Sequence, residues 1–272
     1  MSRQHLVLLL APSVKCSEEV LEYLAKQIES FFFFSNTLAI QAKYNESLFA
    51  SWAAKLRNVG SVQDVATVIE ETMVPYIAKK QGEFKQKFLT INHTAYNPLY
   101  RQRFVLGKLE NSALSRCGLQ KKGQDFFEGL QVEHILPQTP KDDVLTDEFD
   151  TLDDYKNFVY RLGNVTLLES VINQAVNNYN DLNADWFEKK QSEYIKSDVV
   201  VTNLLVKDYA IGKDTALNRF SHEMGYQFEE WNISSIEKRQ KILLDLALST
   251  WMFNGKRIDQ VEVLEGYNKG SG

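Results

Sequence analysis

Apolar residues recur at helical spacing through most of the chain and gather into short strand-like runs at only two places. Ser17 is suited to cap a helix, with Glu18 and Glu19 in the first turn, where they favour the helix dipole. Val20, Leu21, Leu24, Ile28 and Phe31 then follow at intervals of three and four. The run Phe31-Phe32-Phe33-Phe34 is set in charged, helix-like sequence and reads as a buried helix end. Ser61 with Asp64 has the pattern of a capping box, and Val62, Val65, Val68, Ile69 and Met73 form a stripe up to Pro75. A further helix is predicted from about Pro98 to Ser115, with Tyr100, Phe104, Val105 and Leu109 on its inner face.

The character changes near Gly123. Residues 130–138 and 160–168 are short apolar runs with β-branched residues, punctuated by Pro137 and Gly163, and are predicted strands. The acidic connection between them, Lys141 to Asp154, is predicted to be a solvated loop with a short helix. Helical spacing returns from Ser170, and again from about Asn183 to Ser197, where Trp186, Phe187, Tyr194 and Ile195 form a packing face. Ser234 with Glu237 forms a second capping box ahead of an amphipathic helix carrying Ile236, Leu243, Leu244, Ala247, Leu248 and Trp251. The expected fold is mainly α with a small β-hairpin. The expected organisation is a helical region at 1–122, a hairpin-containing domain at 123–253 and a flexible tail at 254–272.

Composition narrows the function. With 44% apolar and 25% charged residues the 272-residue chain resembles an ordinary globular protein with a sizeable core. No apolar stretch approaches the roughly 20 residues needed to span a bilayer, and no membrane association is expected. Cys16 and Cys117 are far apart and outside any Cys-x-x-Cys pair, which excludes a zinc knuckle and fits a reducing cytoplasm. The net charge is −5, yet ten basic residues lie between Lys79 and Lys122 against only Glu83 and Glu110. That band, with Arg101, Arg103, Lys121 and Lys122 in it, suits either a phosphate backbone or a solvated helix face.

The candidate chemistry follows directly. Val132-Glu133-His134-Ile135-Leu136-Pro137-Gln138 ends one predicted strand, Leu162-Gly163-Asn164-Val165-Thr166-Leu167-Leu168 makes the other, and Asn173 lies where the pattern turns helical. Phosphodiester hydrolysis needs a base for the attacking water and a means of stabilising charge on the phosphate. His134 suits the base, Asn164 a positioning amide, and the Glu133 carboxylate and Asn173 amide oxygen a hard cation such as Mg²⁺ or Mn²⁺. Adjacent strand residues face opposite ways, so Glu133 and His134 can share one site only if the strand ends or twists there. Taken singly, His134 also suits a core position, Asn164 a turn and Asn173 a helix cap.

Together these residues resemble the HNH (His-Me finger, ββα-metal) nucleases. More closely, they resemble the nuclease domain at the C-terminus of type IV, modification-dependent restriction proteins and related phage-defence proteins. It extends to Phe187, Lys189, Lys190, Tyr194 and Ser197, and to Trp231, Ile236, Arg239 and Trp251. It implies a ββα-metal unit inside a helical domain, His134 as general base, and Asn164 holding the histidine's backbone. It also implies Asn173 and Glu133 as metal ligands and Lys189 or Lys190 on a phosphate. Two departures stand out: glutamate at 133 in place of the commoner aspartate, and Val176 and Asn177 where simpler members carry a lysine.

The implied activity is metal-dependent DNA cleavage in a restriction or anti-phage system in the cytoplasm, with no small-molecule cofactor. The implied partner is a ParB-like NTP-binding domain, for which the chain has no glycine-rich phosphate loop. The chain is therefore expected to be a separate subunit or a C-terminal fragment. The alternative is a non-catalytic module that binds DNA or that partner on the same fold.

Overall fold

A computed structural model describes residues 4–12, 16–140 and 148–263. The chain is mainly α-helical with one small antiparallel hairpin, and it divides into two compact units. One unit comprises the residues up to Phe88 together with those from Leu248, and the other runs from Leu89 to Ala247. This division departs from the expected boundary at 122/123. It also shares the basic run of the sequence between the units, with Lys79, Lys80, Lys85 and Lys87 in the first.

In the first unit, five helices carry the N-terminal sequence: α1 (Gln4–Leu9), α2 (Glu18–Thr37), α3 (Ala42–Leu56), α4 (Val62–Glu71) and α5 (Met73–Phe88). Ser17 Oγ accepts from the Val20 N–H, and Ser61 and Asp64 form the capping box on α4. Pro75 lies in the first turn of α5, where its missing N–H has no intrahelical partner to lose. Phe31, Phe33 and Phe34 are buried. Phe33 stacks on Trp251 with ring centroids 3.5 Å apart, and Phe34 stacks on Phe84 at 5.0 Å. Residues 254–263 are not frayed: Ile258 and Val261 are fully buried, so apolar burial fixes this stretch. The tail expected from 254 otherwise lies outside the described residues, as does most of the acidic connection, at 141–147.

The second unit is built around the hairpin. It contains α6 (Leu99–Arg116), α7 (Gln124–Glu128), β1 (Gln131–His134), α8 (Leu152–Val159), β2 (Val165–Leu168) and α9 (Ser170–Val176). Then come α10 (Trp186–Tyr194), α11 (Val200–Asn203), α12 (Ala216–Met224) and α13 (Ile233–Thr250), the last leaving the unit after Ala247. β1 and β2 pair antiparallel, with Gln131 opposite Leu168 and His134 opposite Val165.

Both strands are shorter than the apolar runs that signal them. After His134 the peptide groups of Leu136 bond to the Asn164 side chain instead of a strand. Before Val165, residues Leu162–Asn164 form a 3₁₀ turn pressed against α13, where the Gly163 N–H donates to Gln240 Oε1. A Cβ at 163 would collide with the Ile236 carbonyl, so glycine is required by close approach of two backbones. The buried Arg239 on α13 donates to the carbonyls of Gly163 (2.9 Å) and Val165 (2.6 Å) and holds the turn from above.

Two expected packing faces differ from those observed. On α6, Val105 and Leu109 are buried with Gln102, Leu106 and Ala113, but Tyr100 and Phe104 are 49% and 42% exposed. At about 100° per residue, positions 100 and 109 fall on opposite sides of a helix. On α10, Phe187 and Tyr194 are buried whereas Ile195, just past the helix end, is exposed. The last helix is capped by Asn232, whose Oδ1 accepts from the Ser235 N–H, and not by Ser234.

The Gly163→Ala substitution is expected to cost about 1–3 kcal/mol or more through overpacking against backbone. Urea unfolding of the two proteins measures it; an unchanged midpoint contradicts the tight approach of α13.

Candidate active site

The end of β1 is held by side-chain hydrogen bonds from several elements of the second unit. Asn164 is fully buried and uses every hydrogen-bonding position of its amide. Its Oδ1 accepts from the Leu136 N–H (2.8 Å) and the Trp231 indole N–H (2.9 Å). Its Nδ2 donates to the carbonyls of Leu136 (3.0 Å) and Val159 (2.9 Å), and its own carbonyl accepts from the Ile135 N–H at 2.9 Å. From another side, the Tyr155 hydroxyl donates to the Pro137 carbonyl at 2.6 Å. The residues following His134 are thus locked whether or not the strand continues.

Strand alternation separates the two neighbours that the sequence sets side by side. Glu133 turns inward and pairs with Lys190 of α10, Oε1 to Nζ at 2.8 Å, and its Oε1 also accepts from the Tyr194 hydroxyl at 3.3 Å. Lys190 is fully buried, and burial lowers its ammonium pKa against the opposing pull of Glu133. Its Nζ donates as well to the carbonyls of His134 (3.2 Å) and Ile135 (3.0 Å), so it too grips the strand end. This corrects two expectations. Lys190 does not reach outward to a phosphate, and Glu133 does not face the His134 side, because each neutralises the other inside the fold.

The His134 ring points to the opposite face and is half-buried. Its Nε2 lies 3.1 Å from Nε2 of His93, and Tyr160 stands edge-on at 6.1 Å between centroids. His93 is buried, and its Nδ1 lies 2.9 Å from Gln102 Oε1 on α6. Burial, then the neighbouring His93, then Lys190 hold the His134 pKa down at about 3. Burial also lowers that of His93, partly offset by Gln102.

His93 was not singled out by sequence reasoning, since it lies in no motif. What delivers it is a backbone seam: the His93 N–H donates to the Tyr160 carbonyl (2.9 Å) and the Leu162 N–H to the Ile91 carbonyl (3.0 Å). The stretch before α6 is thereby sewn to the stretch before β2.

Asn173 sits within α9, its Nδ2 donating to Gln131 Oε1 at 2.7 Å. Gln131 shares a face with Glu133 and is three residues from His134, roughly 10 Å along a strand. The structure therefore ties Asn164 to Ile135 and Leu136, the residues just after His134, and sets Asn173 at the far end of β1. A hard cation would find part of a ligand set here. Asn173 Oδ1 is buried with no hydrogen-bond partner among the described residues, which leaves it open as an oxygen donor. The Glu133 carboxylate, by contrast, already carries an ammonium. Among the described residues no group of three His, Cys, Asp or Glu side chains is arranged to hold a metal.

Of the expected phosphate contacts, Lys189 is exposed, with Nζ on the Ala184 carbonyl at 3.3 Å, and Lys121 is exposed. Arg101, Arg103 and Lys122 line a groove of about 800 Å³ with Lys108 and the outward-facing Tyr100 and Phe104. The Lys108 and Lys122 ammonium groups lie 5.2 Å and 4.9 Å from the Phe104 and Phe126 rings, and Arg103 Nε is buried without a hydrogen-bond partner among the described residues. Cations interleaved with exposed rings suit a nucleic-acid strand, whose phosphates and bases offer both kinds of partner.

A family described as "GmrSD restriction endonucleases, C-terminal domain" matches residues 78–246, a stretch that includes the hairpin, α6 and the helices after it. Comparison with curated proteins finds no match. Among the described residues no helix is long and apolar enough to cross a membrane.

Removing one partner of the buried pair strands the other's charge. Lys190→Met is therefore expected to destabilise the fold by about 3–5 kcal/mol, and Glu133→Leu with Lys190→Met by clearly less. Equal losses in urea unfolding would contradict a compensated pair. A second expectation concerns acid. The unfolded chain takes up a proton at residue 134 below about pH 6.5 that the folded ring refuses until about pH 3. This contribution is full above about 6.5 and is lost as pH falls towards 3, so His134→Gln should show a shallower acid limb of stability. An identical limb contradicts the burial of the ring.

Proposed function

The chain belongs to the family of GmrSD restriction endonuclease C-terminal domains, and from that premise we propose that it hydrolyses DNA phosphodiester bonds with His134 as general base. The observation that carries the reading is the half-buried His134 imidazole, presented at the end of a strand whose following residues are clamped by Asn164 and Lys190. A ring held this way meets a water and a phosphate without reorganising, which is what efficient proton transfer requires. Its low proton affinity keeps the imidazole neutral and ready to accept. The negative charge of a bound phosphate stabilises the imidazolium and moves that affinity back up.

Asn164 acts as a positioning residue through the backbone, and the groove of α6 and α7, with Arg101, Arg103 and Lys122, supports the approach of the strand. A divalent cation, Mg²⁺ or Mn²⁺, belongs to the proposal, met at the His134 face by phosphate and water oxygens; the open Asn173 amide oxygen, at the far end of β1 on the Glu133 face, would be a donor only for an ion bound there. Such an ion would supply Lewis-acid stabilisation of charge on the phosphate. The reading extends to an HNH-type module of an anti-phage system acting on DNA in the cytoplasm with a ParB-like NTP-binding domain or subunit.

The second reading, a binding module without catalysis, is favoured by one observation: Glu133 is occupied by Lys190. Supercoiled plasmid incubated with the full chain, with Mg²⁺ or Mn²⁺ or with chelator, separates the two. The expected result is metal-dependent nicking that falls by roughly 10²–10⁴ in His134→Ala. Nicking unaffected by that substitution contradicts the assignment, and DNA retention without nicking establishes the binding module. In the same material, Arg103→Ala with Lys122→Ala should weaken DNA binding and flatten its salt dependence by about 0.9 per lost phosphate contact. Unchanged affinity and slope would remove the groove from the DNA path.

A further inference from the structure

We propose that His93, fixed by Gln102 and Asn97, is a positioning residue that sets the tautomer of His134 and leaves its Nδ1 as the bare, proton-accepting nitrogen. Gln102 Nε2 donates to Asn97 Oδ1, which turns Gln102 Oε1 toward His93. An amide oxygen only accepts, so the 2.9 Å contact to His93 Nδ1 requires a proton on that nitrogen. Burial disfavours the charged form of both rings, and two Nε2 atoms 3.1 Å apart leave room for one proton between them. A neutral His93 with its proton on Nδ1 has a bare Nε2. The 3.1 Å contact between the two Nε2 atoms then requires the proton there to belong to His134.

Nδ1 of His134 is what remains, and among the described residues it makes no hydrogen bond. The direction of every donor in this series is decided by one amide. Turned the other way, Gln102 would offer an N–H to His93 Nδ1, push its proton to Nε2 and reverse the His134 tautomer. The half-buried ring would then present an N–H where a base is needed. The α6 helix holds Gln102 in place by burial, with its N–H on the Pro98 carbonyl.

This inference rests on the reading of His134 as the base, but it can fail separately from it, since tautomers are read by nitrogen NMR without any turnover. The chain has four histidines, so long-range proton–nitrogen correlation spectra of the labelled full chain resolve each ring. The expected spectrum has His134 protonated on Nε2 and bare on Nδ1, with His93 protonated on Nδ1. A His134 signal of the opposite tautomer overturns the proposal, whatever the nicking assay shows.

Gln102→Leu removes the acceptor that orders the series. It should leave His134 as a mixture of tautomers and lower kcat for nicking at least about tenfold, within the range for losing a correctly protonated base, with KM little changed. Gln102→Glu, whose carboxylate still accepts from His93 Nδ1 and, once the Asn97 amide turns, from Asn97 Nδ2, should restore the single tautomer. A Gln102→Leu protein that folds yet keeps the wild-type tautomer signals contradicts the assignment. If Gln102→Leu fails to fold, the wild-type and Gln102→Glu spectra still decide it. Correct tautomers in a protein that never nicks would sink the nuclease reading and leave this one standing.

Discussion

The buried amide of Asn164 is the contact on which the rest of the site depends. It bonds both peptide groups of Leu136, the Val159 carbonyl and the Trp231 indole, joining the exit of β1, the end of α8 and the approach to α13 through one side chain. Each such bond contributes about 0.5–1.5 kcal/mol net, but a buried group left without its partner costs about 1–3 kcal/mol, so the amide is worth most as an obligation that no other side chain meets. With four groups dependent on it, the geometry at 134–136 has one low-energy solution. Arg239 and Gln240 brace the same turn from α13, and Gly163 lets that helix come close enough to do so.

Around that fixed point, β1 sorts its side chains by alternation. The inward face spends its one carboxylate on Lys190, a fully buried ammonium that also gathers the carbonyls of His134 and Ile135. The other face carries the imidazole. Charge is thus confined to one side of the strand as structure, while the chemistry of the opposite side is left to a neutral ring. The low proton affinity of His134 is a consequence of this arrangement, since burial, a second imidazole and a nearby ammonium all oppose a further positive charge.

Much of the fold could be read from the chain because its determinants are local. Ser17, Ser61 with Asp64, and the apolar stripes of the helices are short-range signals, and the hairpin lies within the two β-branched runs. That residues 134 and 164 fall at neighbouring strand ends was also readable, because the motif spans the hairpin itself. What was not readable depends on contacts between distant segments. Lys190 looks like any helix lysine until α10 is packed behind β1, and Glu133 looks like a metal ligand until Lys190 arrives. His93 has no motif, and the seam between residues 91–93 and 160–162 brings it to the site. Tyr100 and Phe104 face outward for a simpler reason: the helical angle turns them away from the side that Leu109 buries.

The central claim is that the residue at 134 serves as a base through an imidazole with a bare nitrogen, held by a rigid strand end. Chemical rescue tests it most directly. In a His134→Gly protein, free imidazole should diffuse into the vacated space and restore DNA nicking in proportion to its neutral form, leaving DNA affinity unchanged. Nicking that persists in His134→Gly without imidazole, or a folded, DNA-binding His134→Gly protein that no imidazole concentration revives, would contradict the account.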